Sequence, residues 1–227
     1  MKLSIVIPIY NEEKTLRELI NVVEQLKLPV EKEIIMVNDG SKDRSWEILE
    51  TYKDKHIVIN SQPNQGKGAA IREGLKHTTG DFVVIQDADL EYDPHEFVRL
   101  LEPLMRDEAD VVYGSRFLSG TNTSRYSTYA FGNKFLSFLT SILYFKRITD
   151  METCYKMFKK KVVDSFTITR NRFDMEPEIT AKVLKQGWRL KEVPITYEGR
   201  TKEEGKKIGP KDGLIAVWVL LKYRFLN

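Results

Sequence analysis

Three acids stand at alternate positions in VVIQDADLEYDP: Asp87, Asp89 and Glu91. They follow directly on an apolar run, with no His or Cys beside them. Carboxylates alone suit a hard divalent cation, Mg²⁺ or Mn²⁺, which takes its other ligands from water and phosphate oxygens. A lone D-x-D is equally a solvated turn ahead of the helix that Pro94 opens. Four further polar segments shift that balance: Pro8-Ile9-Tyr10-Asn11-Glu12-Glu13, Asn38-Asp39-Gly40-Ser41, Asn64-Gln65-Gly66-Lys67-Gly68 and Gly114-Ser115-Arg116. Asp39 is placed to accept hydrogen bonds from a base or a ribose, although Asn-Asp-Gly-Ser is also ordinary turn and cap chemistry. Gly66 and Gly68 permit close backbone approach, to a nucleotide or to a packed neighbour.

Each polar segment follows a short apolar or β-branched run, at residues 3–9, 33–38, 56–60, 82–86 and 111–114. Between the runs, Leu16, Leu19, Ile20, Val23 and Leu26 repeat at helical spacing, and further helices open at Lys67 and Pro94. Strand starts recur roughly every 25–30 residues, as βα units require. Buried runs without strict alternation predict a mostly parallel sheet with helices on both faces. Ligands on such sheets bind beyond the strand C-termini, which is where all the polar segments fall.

A chain of 227 residues, 41% apolar, suits one α/β domain. With 36 Lys and Arg against 33 Asp and Glu, the net charge of +3 gives nucleic-acid binding no footing. One cysteine, Cys154, excludes an internal disulfide and a Cys-rich metal site. It has no adjacent base and is no nucleophile candidate. Three scattered histidines make no metal cage. The phosphate-loop pattern G-x-x-x-x-G-K-[ST] and the dinucleotide pattern G-x-G-x-x-G after the first strand are both absent from the sequence.

The N-terminus does not read as a signal peptide. The apolar stretches at 135–145 and 214–221 fall short of the roughly 20 residues that cross a bilayer, so no span is expected. Between 131 and 145 the large apolar side chains exceed one core-facing stripe, and Lys134, Lys146 and Arg147 flank them. The terminal stretch carries Trp218 and Tyr223 with Lys222 and Arg224. Both suit helices lying at a membrane interface. A core helix in the first case, and a docked helix or dimer contact in the second, suit the same residues.

In order, SIVIPIYNEE, VNDGSKDRS, NQGKGAAIREG, GDFVVIQDADLEYDP and VVYGSRF resemble the nucleotide-sugar half of inverting family-two glycosyltransferases of GT-A fold. The later ITDMETCYKMF, RFDMEPEITAKVLKQGWRLKEVPITYEGR and EEGKKIGPKDG are similar to the dolichol-phosphate mannosyltransferase and polyprenyl-phosphate glycosyltransferase branch. The resemblance runs from Ser4 to about Gly213. It implies a Rossmann-like three-layer α/β sandwich in a single domain: a nucleotide-sugar half at 1–120, an acceptor half at 121–213 and a C-terminal amphipathic segment at 214–227. Pro8, Tyr10 and Glu12 would contact the donor nucleotide. Asp39 would hold its base or ribose side, and Gly66, Lys67 and Gly68 would lie under it. Asp87, Ala88 and Asp89 would meet ribose and diphosphate. Asp87, Asp89 and Glu91 would ligate Mg²⁺ or Mn²⁺, with Glu91 standing where many relatives carry Gln. Residues 150–155 would line the acceptor pocket.

The implied activity is metal-dependent, inverting transfer of a hexose from GDP-mannose, with UDP-glucose next in order, to a polyprenyl or dolichyl phosphate. The implied location is the cytoplasmic face of a membrane, as a peripheral protein. An acceptor phosphate is already anionic and needs balancing cations rather than a strong base. Arg116, Arg200 and Lys207, with Lys206 beside it, are the candidates, and Arg125 is a weaker one. Asp89, Arg116, Arg200 and Lys207 form the implied catalytic set. Asp174 stands where that branch carries a small residue. This keeps a second reading open, a sugar-hydroxyl acceptor with Asp174 or Glu176 as base. A third is a non-catalytic nucleotide-sugar or lipid-binding module serving a membrane-protein partner.

Overall fold

The structure, a computed structural model, describes residues 1–118, 127–199 and 210–226. In chain order its elements are β1 (Lys2–Ile9), α1 (Leu16–Gln25), β2 (Glu31–Asp39), α2 (Ser45–Glu50), β3 (Ile57–Ser61) and α3 (Lys67–Leu75). There follow β4 (Phe82–Ile85), a 3₁₀ turn (Pro94–Glu96), α4 (Phe97–Met105), β5 (Val111–Ser115), α5 (Ser127–Tyr144) and β6 (Lys156–Lys159). The last are α6 (Lys160–Val163), α7 (Met175–Lys185), β7 (Leu190–Pro194) and α8 (Pro210–Phe225). The strands form one seven-stranded sheet in the order β3-β2-β1-β4-β6-β5-β7.

The sheet is built from the expected apolar runs. Leu3, Ile5, Val6, Ile7 and Ile9 of β1 are buried, as a central strand covered on both faces requires. α1 turns Leu16, Leu19, Ile20 and Val23 inward, the repeat seen in the sequence. Pro94 does open a helical segment, but as a 3₁₀ turn whose N-cap Asp93 accepts from the His95 backbone N–H. α3 rides close on the sheet: a Cβ on Gly74 would stand 2.5 Å from Val6 Cγ1 and 3.2 Å from Val37 Cγ2.

One strand departs from the expected parallel order. β6 runs antiparallel between β4 and β5. The loop before it explains why. Thr149 and Asp150 are pinned at the C-terminal rim: Thr149 by the Ser115 hydroxyl (2.7 Å) and both by Glu192, which accepts their backbone N–H groups. A strand that starts at that rim can only run back down the sheet. β6 and β7 lie in the expected acceptor half, so the sheet runs through both halves of the chain.

α5 and α8 pack together, and the Tyr144 hydroxyl donates to the Leu220 carbonyl at 2.8 Å. Leu136, Thr140 and Tyr144 of α5, and Ala216, Val219 and Leu220 of α8, are buried. The opposite faces are exposed and apolar. Phe131, Phe135, Phe138, Ile142 and Phe145 make one stripe, and Leu214, Ile215, Trp218, Leu221 and Phe225 another. The core-helix and docked-helix expectations therefore hold for one side of each helix, and the other side is exposed and apolar. No helix among the described residues is long and apolar enough to cross a membrane.

Two of the helical glycines, Gly132 and Gly74, should respond oppositely to alanine. Gly132 in α5 has nothing within 4 Å of a would-be Cβ, so Gly132→Ala should stabilise by ~0.5–1 kcal/mol through reduced backbone entropy. Gly74→Ala gains the same term but meets Val6, and overpacking of ~1–3 kcal/mol should dominate. Urea midpoints of the two variants will move in opposite directions.

Candidate active site

The D-x-D segment is held as a clamped loop. Gln86 is fully buried. Its Nε2 donates to the Asp87 and Tyr92 carbonyls, and its Oε1 accepts from the Tyr155 hydroxyl at 2.7 Å. Thr15 Oγ1 donates to the Ala88 carbonyl at 2.7 Å, tying the loop to the segment after β1. Leu90 has φ +60°, a left-handed conformation uncommon for such a residue and often found at functional loops. Beyond it, Tyr197 donates its hydroxyl to Glu91 Oε2 at 2.7 Å, and Glu198 its backbone N–H to the Glu91 carbonyl.

Charged side chains close the rim in pairs. Lys67 Nζ lies 2.7 Å from Asp87 Oδ1 and 3.6 Å from Glu176 Oε1. Against the cost of burial, Asp87 leads the acidic neighbours that hold Lys67 well above the usual lysine range. Glu176 also meets the buried Lys156 ammonium. Arg116 forms a two-point pair with the fully buried Asp150, Nε to Oδ2 and Nη2 to Oδ1, both 2.7 Å. Its guanidinium lies over the Tyr197 ring at 5.1 Å.

Several sequence-predicted residues thus meet, with roles that the pattern did not show. Asp39 is buried, and its carboxylate accepts from the Gln65 and Gly66 backbone N–H groups and from Asn64 Nδ2, each at 2.8 Å. Burial pushes its pKa up against those bonds. Asp39 therefore shapes the 64–66 loop and borders a cavity of about 190 Å³ shared with Ser61, Gln65 and Arg72. The close approach at Gly66 and Gly68 is made by the chain itself. A Cβ there would stand 2.4 Å from the Asn171 carbonyl oxygen and 2.3 Å from that of Arg170. Pro8 pairs with Val37 one position before the end of the β1 register, Tyr10 is half-buried just beyond the strand, and the Glu12 backbone N–H donates to Ser45 Oγ.

Asp87, Asp89 and Glu91 do not form a three-carboxylate cage. Asp87 faces Lys67 and Glu91 faces Tyr197, and among the described residues no three His, Cys, Asp or Glu side chains converge closely enough to hold a metal ion unaided. The oxygen-only donor set still fits a hard ion that takes most ligands from a diphosphate and water. Arg116, expected at an acceptor phosphate, is committed to Asp150. Arg125, Arg200, Lys206 and Lys207 lie outside the described residues. Asp174 sits at the start of α7, 3.7 Å from Arg170 Nε. Glu178 anchors the 169–170 backbone, accepting from both N–H groups. Cys154 is buried, and burial first, Asp87 next, push its thiol well above the usual range, consistent with no nucleophilic role. A larger cavity of about 460 Å³, lined by Thr169, Lys182, Lys185, Lys222, Tyr223 and Leu226, contains none of the predicted site residues.

Comparison with known proteins gives this rim its context. Residues 4–167 match the profile of Glycosyl transferase family 2. The chain belongs to that family. A dolichol-phosphate mannosyltransferase of Pyrococcus furiosus is 29% identical over 217 residues, 92% of this chain and 60% of that protein. A UDP-N-acetylglucosamine–dolichyl-phosphate N-acetylglucosaminyltransferase of Methanococcus voltae is 29% identical over 84% of this chain and 83% of its own length. A dolichyl-phosphate beta-glucosyltransferase of Trichomonas vaginalis is 30% identical, over 86% and 65%. The chain thus spans under two thirds of the length of the first and third of these relatives. In three dimensions it resembles glucosyl-3-phosphoglycerate synthase of Mycobacterium tuberculosis, crystallised with Mn²⁺, UDP and phosphoglyceric acid, with TM-score 0.74 and 20% identity over all of this chain and 79% of that one. That likeness is one of fold, the GT-A arrangement expected from the sequence.

Sequence reasoning did not single out the supports of this family-two rim: Gln86, Tyr155, Tyr197 and Lys156. Gln86 and Tyr155 entered only as members of longer segments, and Lys156 stands as a lone charge between apolar residues in CYKMF. Glu152 was noticed only as part of a segment. It is partly buried, and burial first, Glu176 next, push its carboxyl up to about 7 from an ordinary 4.5, with Asp150 adding to this and Lys156 and Arg116 opposing it. In the unfolded chain the group ionises near 4.5, so between 4.5 and 7 only the folded state keeps the proton. Stability falls as pH rises through that window. Glu152→Gln should therefore raise the unfolding free energy at pH 8 by ~1–3 kcal/mol and change it little at pH 4, measured by denaturant titration at both values.

Proposed function

We propose that this family-two chain transfers a hexose, mannose first and glucose next in order, from a nucleoside-diphosphate sugar to a polyprenyl (dolichyl-type) phosphate. The transfer inverts the anomeric centre, depends on Mg²⁺ or Mn²⁺, and takes place at the cytoplasmic surface of a membrane. The observation that carries this reading is one chain holding both a clamped D-x-D rim and two adjacent exposed apolar stripes on α5 and α8. The similarity to transferases named for dolichyl phosphate supports the acceptor class.

The reaction asks little covalent chemistry of the protein. An acceptor phosphate oxygen attacks the anomeric carbon on the face opposite the diphosphate. The new C–O bond forms as the bond to the diphosphate breaks, and no proton need move. Asp89, flanked by Asp87 and Glu91, would hold the ion, sharing it with the diphosphate. When bound, such an ion supplies Lewis-acid stabilisation of the leaving group's charge. Lys67 sits beside the same carboxylate. A hydroxyl acceptor would instead need a free base, whereas Glu176 stands between two ammonium groups.

The stripes carry the surface contact. Lys134, Lys146 and Arg147 beside one, and Lys222 and Arg224 on the other helix, favour anionic headgroups. Each aromatic moved from water into lipid contributes ~1.5–3 kcal/mol. Phe138→Asp with Trp218→Asp should abolish co-sedimentation with anionic vesicles while leaving transfer to a short, water-soluble polyprenyl phosphate intact. Retained vesicle binding would sink the surface assignment.

Transfer itself is tested with GDP-mannose and UDP-glucose against a polyprenyl phosphate, with Mg²⁺, Mn²⁺ or EDTA, and products read by mass spectrometry. A glycosyl-phosphoryl lipid is expected, lost in EDTA and reduced at least ~100-fold in Asp89→Ala. A glycoside product would support the hydroxyl-acceptor reading, and no product the silent module.

A further inference from the structure

The loop between α5 and β6 is almost fully satisfied, apart from one place. Asp150 holds Arg116, the Cys154 backbone N–H donates to the Tyr92 hydroxyl, Tyr155 holds Gln86, and Lys156 meets Glu176. Between them, Glu152 Oε1 and Thr153 Oγ1 are buried without any hydrogen-bond partner. Consecutive orphan oxygens are rare in native interiors, and each needs an explanation. Their position supplies one. Glu152 lies between the Arg116–Asp150 pair and the Lys156–Glu176 pair. Two residues on, Cys154 Sγ is 3.5 Å from Lys67 Nζ, the ammonium that holds Asp87 of the D-x-D. The orphan pair is therefore one and two residues from a side chain in contact with the ammonium that holds the D-x-D.

We propose that Glu152 is the contact that holds a hydroxyl of the donor's hexose and so sets which hexose is accepted. The inference rests on the nucleotide-sugar reading above. Charge gives an acceptor phosphate no net attraction here: Asp150 and Glu176 face Glu152, and the Arg116 and Lys156 cations beside them are already paired with those carboxylates. A neutral ring rich in hydroxyls supplies the missing donors and acceptors. A site built to pair a hydroxyl discriminates strongly against a sugar that lacks it or points it elsewhere. Glu152 thereby acts on sugar choice, leaving the nucleotide and the acceptor to other groups.

The test uses the full chain with Mg²⁺, and calorimetric titration of UDP-glucose, UDP-galactose, GDP-mannose, GDP-glucose, UDP and GDP. Glu152→Ala should weaken the preferred nucleotide sugar by about tenfold or more and flatten the preference between epimers. The matching nucleoside diphosphate should stay within about twofold. Glu152→Gln, which keeps a donor and an acceptor at the same place, should recover most of that loss near pH 6.5. The wild type should lose nucleotide-sugar affinity between about pH 6 and 8, as the carboxyl ionises beside Asp150 and Glu176 with Lys156 and Arg116 also facing it, and the Gln variant should not. Equal loss of sugar and diphosphate in Glu152→Ala, or an unchanged epimer ratio, overturns the assignment while the wild type still discriminates. A wild type that binds no nucleotide sugar better than buffer overturns it together with the transferase reading.

Discussion

Four buried or half-buried charges of alternating sign hold the rim together: Asp87, Lys67, Glu176 and Lys156. They come from four places in the chain, the loop after β4, the first turn of α3, the first turn of α7 and the first residue of β6. Taking each ion out of water costs several kcal/mol, and only close pairing offsets it. The four elements must therefore meet at this spot, because any one displaced would strand a neighbour's charge. Glu176 gains further from its place at the N-terminus of α7, where the helix dipole favours an anion. Apolar burial gathers the sheet and its helices, but it is indifferent to small slides. The charge chain fixes where the rim segments stand relative to one another.

The expected parts of this picture were those set by short-range pattern. The five apolar runs became β1 to β5 with ends moved by a residue or two, and the polar segments after them became the rim. The partnerships did not show, because they join residues far apart in sequence. Asp39 reads as a free carboxylate until the 64–66 backbone is seen donating to it. Gly66 and Gly68 announce close approach without saying by what, and the visitor is the backbone at 170–171, about 100 residues on. β6 was hidden for another reason. It is four residues long with a lysine at its head, too short for alternation to register, and its direction follows from loop contacts at Thr149 and Asp150.

The helices α5 and α8 show why periodicity left two readings open there. A helix apolar all round has no preferred side in its sequence. Packing chooses one: Leu136, Thr140, Tyr144, Ala216 and Leu220 are buried, and Phe131, Phe138 and Trp218 are left outside. Leaving those aromatics in water opposes what water alone would select, since the larger apolar side chains gain most from burial. Each helix buries one apolar side against the body of the domain and leaves a second apolar side exposed.

The placement of β6 bears on the order in which the chain can fold as it is made. β4 and β5 are neighbours in sequence but not in the sheet, and the strand between them is synthesised last of the three. At about 5–20 residues per second, some seconds separate the emergence of β4 from that of the strand that covers its edge. Through that interval the nascent sheet presents an open, apolar edge, the feature most prone to pairing with a stranger. The same strand carries Lys156, but the charge chain is completed only by Glu176 of α7, 20 residues further along the nascent chain.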